Sequence, residues 1–92
     1  MIMDQIALSR PFPAELEKMN ISSWSPWECE PSEFDWEYSS RETAYVLKGK
    51  AEVTIAGGEK VVIGAGDLVV FAKGLKCRWK ILQRIEKVYK FD

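Results

Sequence analysis

The chain has 92 residues, of which 47% are hydrophobic and 29% charged, with a formal net charge of −1. This length holds one domain; the balanced charge excludes the basic excess of a nucleic-acid binder, and the hydrophobic content excludes wholesale disorder. Histidine is absent, which removes Ser-His-Asp and Cys-His pairs, HExxH sites and histidine cages, and leaves Asp, Glu, Lys, Tyr, Cys or a cofactor for any catalysis.

No apolar run approaches the roughly 20 residues of a membrane span. Met1–Arg10 lacks the basic start, apolar stretch and small-residue cleavage site of a signal peptide. Cys29 and Cys77 are too few for a disulfide scaffold and too far apart for a CxxC motif. They are expected to be free thiols in a reducing cytoplasm.

Residues 2–9 are expected to form a first strand, ended by Pro11 and Pro13. Pro13–Met19 predicts one short helix: proline suits its first turn, Glu15 and Glu17 favour its positive end, and Asn20 can stop it. Residues 21–33 are rich in serine and proline and read as a loop. Trp24 and Trp27 would pack it down, with a short strand at Trp27–Glu30. From residue 34 the period is two. Phe34, Trp36 and Tyr38 alternate with Asp35 and Glu37, as do Ala51, Val53 and Ile55 with Glu52 and Thr54. Cys77, Trp79 and Ile81 follow the same pattern, and so do Ile85, Tyr89 and Phe91, with Lys87 as the exception. Apolar runs at Tyr45–Leu47, Val61–Ile63 and Leu68–Phe71 are bounded by expected turns at Lys48-Gly49-Lys50, Ala56-Gly57-Gly58-Glu59 and Gly64-Ala65-Gly66-Asp67. Strands of about 5 residues, with turns every 8–12 or so, predict an all-β sandwich or closed barrel.

Two spacings choose between them. Glu42, six residues, then Gly49 resembles the end of the first cupin motif, in which two histidines precede a glutamate and a glycine. Gly66, five residues, Ala72-Lys73-Gly74, two residues, then Cys77 resembles the second motif. There a proline stands where this chain has Ala72, and a third metal-binding histidine where it has Cys77. The segments Tyr45–Val53 and Gly66–Phe71 look like the strands between them, and the likeness covers residues 34–81. Trp24, Trp27, Phe34–Tyr38 and Lys76–Trp79 further resemble the small one-domain cupins grouped with ureidoglycine aminohydrolase and an ethanolamine-utilisation protein. The resemblance implies a single cupin domain over residues 1–92, a jelly-roll barrel with one short N-terminal helix. Residues 1–33 would form the strand, helix and tryptophan loop, and residues 34–92 the barrel motifs. It also implies an interior pocket and a homodimer.

The metal positions carry over unevenly. Glu42 is kept, Cys77 replaces a histidine, and the first two positions fall on Asp35 and Glu37 or on Trp36 and Tyr38, according to a one-residue choice of register. Glu37, Glu42 and Cys77, with Asp35, are the candidate metal ligands, although no cofactor is expected. A divalent transition metal is the alternative. Glu42 is the candidate acid or base, because a carboxyl in an apolar barrel resists ionisation. Trp36, Tyr38, Glu42, Cys77 and Trp79 are the candidate ligand-binding residues. The expected function is small-molecule binding in the barrel without a histidine centre, with no nucleic acid and no membrane as partner. The alternatives are a hydrolase or isomerase acting on a small nitrogenous or sugar-like metabolite, and an interaction module with a solid barrel. The basic cluster Lys73, Lys76, Arg78, Lys80 and Arg84 reads as a solvated strand face balanced by the acidic segment Glu28–Glu42.

Overall fold

A computed structural model describes residues 5–92, so residues 2–4 of the expected first strand lie outside the described residues. The elements are β1 (Ile6–Ser9), α1 (Pro13–Met19), β2 (Ser25–Cys29), β3 (Glu33–Glu37), β4 (Glu42–Ile55), β5 (Lys60–Gly64), β6 (Leu68–Phe71) and β7 (Lys76–Phe91), with a 3-10 turn at Ile21–Ser23. The helix begins where proline and Glu15 place it: the Phe12 N–H donates to the Glu15 carboxylate at 2.9 Å. It ends at Asn20, which takes the left-handed conformation at φ 55°. None of its residues is buried, so it lies outside the core.

The long strands β4 and β7 build the barrel. They pair antiparallel from Glu42 opposite Phe91 to Ile55 opposite Cys77. The first part of β4 also pairs with β6, which pairs with β1, and its second part pairs with β5. The first part of β7 takes β3 as its other neighbour, and its last part takes β2. One layer is therefore β1-β6-β4-β7-β2 and the other β5-β4-β7-β3, with both long strands passing from one layer into the other. All pairings are antiparallel, and the result is a jelly-roll barrel.

The passage between layers is made at a set of register shifts between Val46 and Ala51. Before it Glu42, Ala44 and Val46 are buried, and after it Ala51, Val53 and Ile55. The inward face changes from even to odd positions, as an inserted residue requires. Gly49 sits in this bulge at φ +91°, and a Cβ there would lie 2.1 Å from the Arg84 carbonyl oxygen and 2.6 Å from the Ile85 Cα. Only glycine allows the two long strands to approach so closely. The expected Lys48-Gly49-Lys50 turn is thus corrected to a bulge inside one continuous strand. Cys77–Ile81 and Ile85–Phe91 likewise belong to a single strand. The glycine pair at 57 and 58 does turn a hairpin, closed by the Ile55 N–H on the Glu59 carbonyl at 2.9 Å. The segment Gly64–Asp67 turns as well, with the Gly64 N–H donating to the Asp67 carboxylate at 2.8 Å.

Between the layers lies one hydrophobic core, with Ile6, Val46, Ile63, Phe71, Leu75 and Ile85 at its fully buried centre. No helix among the described residues is long and apolar enough to cross a membrane.

Candidate binding pocket

Strand β3 lies against β7 with Phe34 opposite Trp79 and Trp36 opposite Cys77. Its period-two pattern sends Phe34 and Trp36 inward, and Tyr38, one residue beyond the strand, is buried. Asp35 and Glu37 are exposed. Arg78 pairs on the outer face with Glu33 at 2.7 Å and with Asp35 at 2.9 Å. The open register is settled by this alternation: Trp36 and Tyr38 occupy the inward positions, and Asp35 and Glu37 do not.

Glu42 opens β4 on its inward face and is 5% exposed. Lys87 comes from the last part of β7, also points inward and is 7% exposed. Its Nζ donates to Glu42 Oε2 at 2.8 Å. The same ammonium stands 4.9 Å from the ring centre of Trp27, 5.0 Å from Trp79 and 5.6 Å from Tyr89. Two charges withdrawn from water are tolerated only when paired closely, and the negative faces of the rings supply further attraction to the cation.

A cavity of about 270 Å³ adjoins this pair. Trp27, Phe34 and Trp79 form one wall, held by stacking of Phe34 on Trp79 at 6.3 Å and an edge contact of Trp27 with Trp79 at 6.2 Å. Tyr38 is fixed from behind by stacking on Phe71 at 4.7 Å. Burial, reinforced by the neighbouring Glu42 carboxylate, holds its phenol well above the usual range, so it stays protonated. Trp36 and Phe91, 51% and 57% exposed, stand at the rim. Among the described lining residues Glu42 and Lys87 alone carry charge, and they neutralise each other.

Of the residues expected to bind a ligand, Trp36, Tyr38, Glu42 and Trp79 line this cavity and Cys77 does not. Cys77, next to Trp79 on the same strand face, borders a separate open groove with Trp36, Ile55 and Arg78. Its Sγ donates to the Trp36 carbonyl at 3.6 Å. Burial pushes its thiol up to about 11, so thiolate is scarce at neutral pH, against a role as ligand or nucleophile there. Glu37 and Cys77 border the same open groove as Asp35, but Glu42 does not converge with them. Glu37 is exposed, Glu42 is engaged with Lys87, and no group of three or more His, Cys, Asp or Glu side chains able to hold a metal gathers among the described residues. The donor set therefore does not suit the metal centre of a histidine-bearing cupin.

Lys87, which completes the buried pair, is legible in the sequence only as an exception. Its signal was there: a lysine at an inward position that broke the alternation of Ile85, Tyr89 and Phe91. Trp27 and Tyr89 gave no such sign, because what brings them to the site is the pairing of β2 with β7. The two arginines of the basic cluster are answered within the chain. Besides Arg78 on Glu33 and Asp35, Arg84 pairs with Glu28, with Glu30 at 3.1 Å and with Glu86 at 2.7 Å.

A family model described as a EutQ-like cupin domain matches residues 16–89. A DUF861 family protein from Thermotoga maritima is similar over 96% of this chain and 100% of its own, with 46% identity and a TM-score of 0.94. The EutQ protein of Clostridium difficile has 25% identity and a TM-score of 0.65 over 91% of this chain; the match spans 64% of that protein, less than two thirds of its length. A protein of unknown function from Pseudomonas syringae pv. tomato, also of the DUF861 family, shares the fold at 23% identity and a TM-score of 0.64, over 70% of this chain and 28% of that one. No curated protein matches the chain.

Proposed function

This chain belongs to the EutQ-like cupin domain family, and on that premise we propose that its barrel binds a small uncharged organic molecule between the aromatic walls, with Glu42 and Lys87 as polar anchors and no histidine metal centre. The observation that carries this reading is the buried 2.8 Å ion pair on the lining of an otherwise aromatic cavity. Well-packed hydrophobic residues replace a buried ion pair at no loss of stability in many proteins. A barrel needed only as a scaffold has little reason to keep two charges there. The pair leaves no net charge to attract an ion, while its free lone pairs and N–H groups can meet a carbonyl or hydroxyl. The rings offer flat faces for stacking a planar group or a sugar. The cavity, about 270 Å³, falls just below the usual 300–1,000 Å³ or so of drug-sized sites, which favours a small metabolite.

Thermal-shift measurements with amides, sugars and small carboxylates test the reading. A ligand at about 100 times its Kd adds roughly 2.7 kcal/mol to stability. Neutral amides or sugars are expected to raise Tm, and carboxylates to raise it less. If no compound of these classes moves Tm, or if the indole signals of Trp27 and Trp79 do not shift in NMR titrations, the reading fails.

A further inference from the structure

We infer that Lys87 is an amine nucleophile that condenses with a small neutral aldehyde in this cavity, with Glu42 taking and returning its proton. The inference rests on the binding reading above and names the substrate class for the same site. Four observations carry it. Lys87 is the one buried lysine of the chain, every other lysine being exposed. Its Nζ reaches Glu42 Oε2 at 2.8 Å, close enough for direct proton transfer. Aromatic rings surround the ammonium at 4.9–5.6 Å, and the cavity gives a ligand access to it. No third charge lines the cavity among the described residues.

The chemistry follows from these placements. A proton passing from Lys87 to Glu42 across the 2.8 Å contact leaves a neutral amine beside a neutral acid. The free Nζ attacks the aldehyde carbon. The carbonyl oxygen gains protons and leaves as water while the C=N bond forms. Overall, lysine ammonium and aldehyde give a protonated imine and water. No electrons are gained or lost, and Glu42 ends as it began, a carboxylate facing a cation. Neutral aldehydes suit the site better than oxo acids, whose carboxylate would lie near Glu42 once the Lys87 charge is on the imine.

The probe is benzaldehyde, incubated with the full chain, reduced with cyanoborohydride and located by peptide mass spectrometry. The adduct is expected on Lys87 ahead of the exposed lysines. It should be lost in Lys87→Arg, slowed in Glu42→Gln and slowed by benzamide, which has the same body without the reactive carbonyl. The wild-type map decides by itself, even where a variant folds poorly. If benzamide raises Tm while Lys87 stays unmodified, or reacts no faster than exposed lysines, the inference is overturned and the binding reading stands. If neither compound moves Tm and no Lys87 adduct forms, both fall.

Discussion

Lys87 Nζ and Glu42 Oε2 meet at 2.8 Å with both side chains more than nine-tenths buried, although they lie on different strands 45 residues apart in the sequence. The contact depends on the antiparallel run of β4 along β7, which sets Glu42 opposite Phe91 and Val46 opposite Lys87. Even positions of this part of β4 pair with odd positions of β7 and face the same interior, so a carboxylate at the start of β4 and an ammonium near the end of β7 converge below the rim.

Removing one partner should be costly and removing both should not. Glu42→Gln or Lys87→Met strands the other charge in an apolar cavity, a loss of about 3–5 kcal/mol. The double variant should lose clearly less than the sum, because no orphaned charge remains. Urea unfolding of the four proteins measures the coupling. Single losses within about 0.5 kcal/mol, as at ordinary surface sites, would show that water reaches the pair.

Cys77 sets a pH dependence on the alkaline side. Burial raises its thiol from an ordinary value of 9.0 to about 11 in the folded chain. Between those values the unfolded chain releases the proton and the folded chain keeps it. The stability contribution is therefore fully present below about 9 and lost as pH rises through about 11. Tyr38, raised by burial and then by Glu42, acts with the same sign from its ordinary value of 10.0 upward. Cys77→Ala should flatten the loss above pH 9 or so in urea titrations, whatever it does to stability at neutral pH. Iodoacetamide should alkylate Cys77 slowly at neutral pH and faster as the thiolate appears.

The barrel was legible in the sequence through two spacings and a period of two. The spacings from Glu42 to Gly49 and from Gly66 to Cys77 pointed to the cupin pattern, and the alternation sent Trp36, Tyr38 and Trp79 inward. The reading of Gly49 as a turn failed because what demands glycine there is the backbone of Arg84 and Ile85, distant in sequence. Local composition cannot distinguish a turn from a bulge when the decisive neighbour is on another strand. Cys77 shares a strand face with Trp79, which points to the pocket, yet adjacent inward residues of one strand face can border different cavities. Lys87 was visible only as a break in the pattern, since its partner is fixed by tertiary pairing.

Gly49 also separates backbone crowding from backbone conformation. Gly49 and Gly57 both have positive φ, +91° and +103°, but a Cβ at Gly57 would meet nothing within 4 Å, whereas at Gly49 it would strike the Arg84 carbonyl at 2.1 Å. Gly57→Ala should therefore cost only the conformational term of about 1–2 kcal/mol. Gly49→Ala should exceed about 4 kcal/mol, the range that marks a fault in the framework itself. Comparable losses at the two sites would mean that β4 and β7 can move apart.

The rim offers a test that separates binding from folding. Trp36 lines the cavity but is 51% exposed, and its ring touches Tyr38 edge-on at 6.4 Å. Trp79 lines the same cavity at 2% exposure, stacked on Phe34 and tilted against Phe71 at 5.8 Å. Trp79→Ala opens a core void and should cost about 3–5 kcal/mol. Trp36→Ala gives up packing on one side only and should cost well under half as much. If the cavity is a binding site, both variants lose most of the ligand-induced rise in Tm, because both remove a face against which the ligand stacks. Trp36→Ala does so in a protein that still unfolds cooperatively near the wild-type urea midpoint. A ligand that still stabilises Trp36→Ala as it does the wild type would have to sit outside both this cavity and the open groove beside Cys77 and Arg78, because Trp36 borders each of them.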